Sequence, residues 1–253
     1  VKAVYMTDRG KIRPHNEDSG GVFINIDKDY LAIVADGMGG HRAGDVASEM
    51  TLTTLKEWWK STKEITTPEI AEQWLKEKIN NVNNKLFTHS KNNQECQGMG
   101  TTLVAAICTK RFSTIANIGD SRCYILNETG LQQLTEDHSL VNELVRSGQI
   151  TKEDAEHHPR KNVLLRALGT EDHVETDIKT ITFEEDDILL LCSDGLSNKV
   201  SDQEINDELM KNISIEEKAA NLIKMANDNG GEDNITLVIV EYRDDHELGD
   251  EQC

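Results

Sequence analysis

Leu31-Ala32-Ile33-Val34-Ala35-Asp36-Gly37-Met38-Gly39-Gly40 is the stretch on which the fold turns. Five apolar residues in a row, two of them β-branched, read as a buried strand, and the Asp-Gly pair marks where it stops. The same construction returns along the chain. Ile115-Ala116-Asn117-Ile118 runs into Gly119-Asp120-Ser121-Arg122, and Leu189-Leu190-Leu191-Cys192 runs into Ser193-Asp194-Gly195. Gly230-Gly231-Glu232-Asp233-Asn234 stands immediately before the run Ile235-Thr236-Leu237-Val238. Further apolar runs at Thr102–Cys108 and Cys123–Leu126 complete the strand inventory. Helical spacing joins Ala43, Val46, Ala47 and Met50, and again Ala219, Leu222, Ile223 and Ala226. A polar helix is expected from Pro68 to about His89, with Pro68 in its first turn. Strands come in runs, then helices, then strands again. That order favours an α+β layered fold over a doubly wound parallel sheet.

The chain has 253 residues, with 46 Asp+Glu against 27 Lys+Arg and a formal net charge of −19. The length allows one large or two small domains, at roughly 150 residues each. No Pro/Gly/Ser-rich linker divides it, so residues 1–243 read as one domain. Residues 137–168, polar and interrupted by Pro159, read as an inserted flap; 244–253 reads as an acidic tail. The acidic balance excludes a nucleic-acid binder, whose affinity rests on Lys and Arg. No apolar run approaches the roughly 20 residues of a membrane span. Five cysteines show no Cys-x-x-Cys spacing, and no apolar leader is read at the start, so a cytoplasmic protein is expected.

An Asp at the lip of a buried strand loses hydration and repels its neighbours, so it needs a positive partner. Each alone reads equally well as a turn residue. Four together, with only Arg122 close to any of them in sequence, point instead to a divalent cation. Carboxylates, a carbonyl beside Gly and waters suit Mg2+ or Mn2+. Competing motifs fail by single residues. A dinucleotide fingerprint from Gly37 needs Gly where Arg42 stands, and a calcium loop from Asp27 meets Leu31 and Ala32. No phosphate-binding Gly-Lys loop, His-Glu-x-x-His pair or Cys-x5-Arg loop occurs.

Six segments in order resemble the metal-dependent PPM/PP2C family of protein serine/threonine phosphatases, in its compact bacterial, Gram-positive branch. They are Gly10-x-x-Arg13-x-x-Asn16-Glu17-Asp18, Asp36-Gly37-Met38-Gly39-Gly40-His41, Gly98-Met99-Gly100-Thr101-Thr102, Gly119-Asp120-Ser121-Arg122, Ser193-Asp194-Gly195-Leu196 and Gly231-Glu232-Asp233-Asn234-Ile235-Thr236. The resemblance implies an α-β-β-α sandwich of two antiparallel sheets flanked by helices. It implies that Asp36 bridges two Mn2+ or Mg2+ ions, that the Gly37 carbonyl binds one of them, and that Asp194 and Asp233 complete the first ion's protein ligands. A third ion would sit at Asp120 and Asp194. Glu17 and Asp18 would hold waters on the ions, or else be solvated loop acids, and Asn234 would order the loop around Asp233. The implied reaction is direct hydrolysis by a hydroxide bridging two ions, with Arg13 on the phosphoryl oxygens. Met38 stands where many eukaryotic relatives carry a histidine. His41 is therefore the candidate proton donor, with a loop histidine that merely packs nearby as the alternative. In the flap, Arg160, Lys161 and Arg166 read as contacts for phosphorylated or acidic peptides, or as a solvated helix face. The implied partners are phosphorylated proteins and a cognate serine/threonine kinase, with the phosphatase monomeric. A two-metal phosphodiesterase and a non-catalytic phosphoprotein-binding module are the rival classes; the −19 charge opposes the first and intact Asp36, Asp194, Asp233 and Arg13 oppose the second.

Overall fold

The structure is a computed structural model that describes residues 1–39 and 43–243. His41 and the tail 244–253 lie outside the described residues.

In chain order the elements are β1 (Lys2–Asp8), β2 (Asp18–Ile24), β3 (Tyr30–Met38), α1 (Ala43–Lys60), α2 (Pro68–Asn92), β4 (Gly100–Thr101), β5 (Leu103–Cys108) and β6 (Phe112–Ile118). There follow β7 (Arg122–Asn127), β8 (Gly130–Gln133), α3 (Leu140–Arg146), α4 (Lys152–Glu156), β9 (Asp177–Thr182), β10 (Ile188–Cys192), α5 (Asp194–Ser197), α6 (Asp202–Leu209), α7 (Ile215–Asp228) and β11 (Ile235–Glu241). One sheet has the order β1-β11-β10-β7-β8, the other β2-β3-β5-β6-β9, with β4 paired to β3. All pairings are antiparallel.

The strands read as continuous apolar runs because both faces of each sheet are covered. Leu31, Ile33, Leu103, Ala105 and Ile107 face α1 and α2, joining Leu55, Trp59, Leu75 and Ile79. Their alternate neighbours Ala32, Val34, Val104 and Ala106 meet Leu189, Leu191, Val238 and Val240 between the sheets. Leu190, Leu237 and Ile239 face the opposite way, onto Ile205, Leu209, Ala219 and Leu222 of α6 and α7. The three apolar clusters make the four layers expected from the resemblance. Capping boxes at Ser201/Glu204 and Ser214/Glu217 start α6 and α7.

Register decides where the acids go. The end of β1 pairs with the start of β11 (Asp8 with Ile235), and the start of β11 lies beside the end of β10 (Leu237 with Cys192). In the other sheet the end of β3 pairs with the start of β2, placing Asp36 opposite Asp18. The β6–β7 link, which carries Asp120, crosses from one sheet to the other. Asp18, Asp36, Asp120, Asp194 and Asp233 therefore share one end of the sandwich.

Candidate active site

Asp36 is fixed by its backbone on two sides. Its N–H donates to Thr102 Oγ1 (2.9 Å), and its carbonyl accepts from the Thr102 N–H and from Thr101 Oγ1, both at 2.9 Å. Thr102 Oγ1 also meets Ser121 Oγ at 2.7 Å, tying the Asp120 turn to the same network. Gly37 donates its N–H to the Glu17 carbonyl at 3.1 Å, and its backbone packs directly on Gly44 at the start of α1. A Cβ at position 37 would be driven into the Gly44 carbonyl. Gly37→Ala is expected to shift the end of β3 away from α1, costing about 1–3 kcal/mol of stability and most of the activity. Thermal unfolding alongside phosphate release checks both.

Asp194 opens α5, where Asn198 Nδ2 donates to its Oδ2 at 3.0 Å. Its Oδ1 is buried with no hydrogen-bond partner. Asp18 is likewise buried; Ser193 Oγ donates to its Oδ2 at 2.8 Å, and its Oδ1 has no partner. Asp233 accepts from Arg13 at 2.7 Å. Asn234 is the clasp of the front loop: its Oδ1 accepts from the Glu17 N–H (2.8 Å), and its Nδ2 donates to the carbonyls of Arg9 (2.8 Å) and His15 (2.9 Å).

The acids raise one another's proton affinity. Burial, then repulsion from Asp18, Asp194, Asp120 and Asp233, holds the Asp36 carboxyl well above its ordinary value. Burial pushes Asp18 up to about 7 against hydrogen bonds from Thr236 and Ser193. Burial and Asp194 push Asp120 up to about 7 as well. Asp194 is raised by burial and by repulsion from Asp233, with the positive charges of Arg13 and Arg122 opposing. Glu17 is raised by burial, with Arg13 opposing. Two buried carboxylate oxygens without donors, inside a ring of like charges, fit a divalent cation. Among the described residues no three His, Cys, Asp or Glu side chains converge tightly enough to cage an ion by themselves. The fit is to a hard, hydrated ion that completes its shell with a backbone carbonyl and waters.

The 253-residue chain matches the family described as Protein phosphatase 2C over residues 13–235. The chain belongs to the protein phosphatase 2C family. It is 55% identical to the serine/threonine phosphatase Stp of Listeria welshimeri over 241 residues, 95% of this chain and 96% of that one. The serine/threonine phosphatase Stp1 from Staphylococcus aureus superposes with a TM-score of 0.92 at 40% identity, covering 96% and 95% of the two chains. The catalytic domain of the phosphatase PstP, solved in complex with two manganese ions, superposes with a TM-score of 0.85 at 33% identity, covering 96% and 98%.

Within this PP2C framework the sequence expectations meet the structure with some displacements. The fold brings Asp36, Gly37, Asp120, Asp194, Asp233, Arg13, Glu17 and Asn234 to one end of the sandwich. Asp18 is not a loop acid but the first residue of β2, buried opposite Asp36. Arg122, two residues after Asp120, forms a two-pronged pair with Asp137 instead, through Nε (3.0 Å) and Nη2 (2.7 Å). Arg13 pairs directly with Asp233, far from it in sequence, while the Arg122 charge eases Asp120 and Asp194 without pairing to either. In the flap segment, Arg160 and Lys161 are exposed on a turn instead of a helix face. Arg166 is paired to Asp177 at 2.8 Å and Glu175 at 3.2 Å, which removes it from free peptide contact. Ser193, Thr102, Ser121 and His138, which hold the acids in place, went unread. The Thr101-Thr102 and Ser193-Asp194 motifs contained part of that signal.

Proposed function

We propose that this chain hydrolyses phosphoserine and phosphothreonine in proteins. The observation that carries the reading is the buried acid ring with its two unpartnered carboxylate oxygens, on a framework shared with named serine/threonine phosphatases. Asp36, the Gly37 carbonyl, Asp194 and Asp233 would hold two Mn2+ or Mg2+ ions, with a third at Asp120 and Asp194. When bound, such ions supply Lewis-acid activation of water near neutral pH and neutralise charge on a phosphoryl group.

The remaining work falls to protein groups. Arg13 is 47% exposed at the rim, and its planar fork suits two phosphoryl oxygens at once. Asn234 holds the 9–17 loop so that Arg13 and Glu17 face the acids from a fixed distance. Asp18, gripped by Ser193, keeps the α5 entry aligned with β2. His41 is retained as the donor of a proton to the leaving serine or threonine oxygen. The flap, residues 137–168, borders the rim through the paired backbones of Thr101 and Leu168. The partners that fit are phosphorylated proteins and a cognate serine/threonine kinase, with the phosphatase acting as a cytoplasmic monomer. Among the described residues no helix is long and apolar enough to cross a membrane.

Phosphate release from phospho-Ser, phospho-Thr and phospho-Tyr peptides tests the reading. Expected are turnover of the first two with Mn2+, poor turnover of the third, and a fall of at least about a hundredfold on chelation. Undiminished release after complete metal removal would reject the mechanism.

A further inference from the structure

The turn that carries Asp120 is held from behind by one histidine. Gly119, in the left-handed region at φ +102°, has both backbone groups bonded to His138. The His138 N–H donates to the Gly119 carbonyl at 2.9 Å, and the Gly119 N–H donates to His138 Nδ1 at 3.1 Å. A backbone N–H can only donate, so Nδ1 carries no proton and Nε2 does. Nε2 then donates to Asp177 Oδ2 at 3.1 Å, and Asp177 Oδ1 takes Arg166 at 2.8 Å; Arg166 Nη1 also lies 3.3 Å from Nε2, but two N–H groups make no hydrogen bond with each other. The ring is buried at 8% exposure, whereas the Asp177 side chain is 51% exposed. His138 therefore has one hand on the Asp120 turn and the other on a carboxylate at the foot of β9. Its carbonyl also accepts from the Leu165 N–H at 2.8 Å, so the same residue joins the two ends of the flap.

We propose that His138 is a positioning residue: through Nδ1 it sets the Gly119 turn and thereby the aim of the Asp120 carboxylate toward the ion site. The inference rests on the reading of Asp120 as an ion-binding group. Its particular content is that the two ring nitrogens have separable duties. Asn at 138 places an amide oxygen where Nδ1 stands and can still accept from Gly119, but it is too short for Asp177. Gln places its amide nitrogen where Nε2 stands and keeps Asp177, but it loses Gly119. A residue that merely fills space makes no such distinction.

The test is Mn2+ titration of the metal-free full chain by calorimetry, for the parent, Asp120→Asn, His138→Asn and His138→Gln, with unfolding midpoints measured in parallel. Asp120→Asn should weaken the weakest Mn2+-binding step. His138→Gln should weaken that same step by about fivefold, the worth of one hydrogen bond, while His138→Asn stays close to the parent. Each variant gives up one hydrogen bond of the ring, so their midpoints should fall together. Equal Mn2+ affinities in the two His138 variants overturn the inference, as does an effect of Asp120→Asn with none from His138→Gln. No effect of Asp120→Asn removes the underlying ion reading and the inference with it. If His138→Gln does not fold, His138→Ala and Asp177→Ala replace the pair: His138→Ala loses the Gly119 contact and should weaken the step, whereas Asp177→Ala keeps Nδ1 on Gly119 and should bind Mn2+ like the parent. Equal Mn2+ affinities in these two variants would reject the proposal.

Discussion

Asp36→Asn is expected to lower phosphate release about a thousandfold or more while raising the unfolding midpoint of the metal-free protein. Both effects have one cause. Asp36 sits among Asp18, Asp194, Asp120 and Asp233, and burial together with their repulsion makes its charge costly. Asparagine has nearly the same shape and carries no charge, so the backbone bonds to Thr101 and Thr102 survive and the repulsion falls. The same change removes the acid around which the ion-binding groups gather. Activity and metal-free stability therefore move in opposite directions, as expected where stability is given up for function. A simple packing role predicts the reverse, a less stable protein with residual turnover. Thermal unfolding in chelator, paired with single-substrate kinetics in saturating Mn2+, distinguishes the two. A variant that turned over at near-parental rate would show that Asp36 does not hold the ions.

The strands that position the site were legible because their apolar runs are uninterrupted. Ile188–Cys192 was read to the residue, and Leu31–Ala35 falls inside β3. β1 and β2 were not legible. Asp18-Ser19-Gly20-Gly21 carries no strand-forming side chain, and its pairing with β3 supplies the stability that its own composition lacks. The acids at strand ends were visible as a recurrent pattern, since each is local: an Asp beside Gly or Asn at one end of an apolar run. Asp18 was read as an acid of the site but not as buried, because what buries it is a register across two strands and the Ser193 hydroxyl from far along the chain. Arg122 misled for the same reason. It follows Asp120 by two residues and opens β7, and its guanidinium is taken by Asp137, 15 residues further along the chain. His138 lay in a polar stretch with nothing periodic about it, and only the fold places it behind Gly119.

In metal-free protein, stability is expected to fall as pH rises from about 4 to about 7, and Mn2+ is expected to reverse the trend. Asp18 and Asp120 keep their protons in the folded state up to about 7, whereas an unfolded aspartate loses its proton near 3.8. Between those values the native state binds more protons than the unfolded state, so the unfolding free energy decreases with pH. The destabilisation is absent below the unfolded value and fully developed above the folded one. For Asp18 alone it amounts to about 4 kcal/mol, or roughly 10 °C in midpoint for a chain of this size. Divalent cations compete with those protons for the same oxygens, so they bind more tightly at pH 8 than at pH 5 and stabilise more there. Thermal unfolding at the two pH values, in chelator and in saturating Mn2+, should give opposite orders of midpoint. A net charge of −19 also disfavours the folded state as pH rises, through general repulsion. Asp18→Asn separates the two contributions: it leaves the surface charge in place and removes the buried proton. Its midpoint in chelator should therefore vary less between pH 5 and pH 8 than that of the parent. A slope as steep as the parent's would locate the pH dependence at the surface and not in the acid ring.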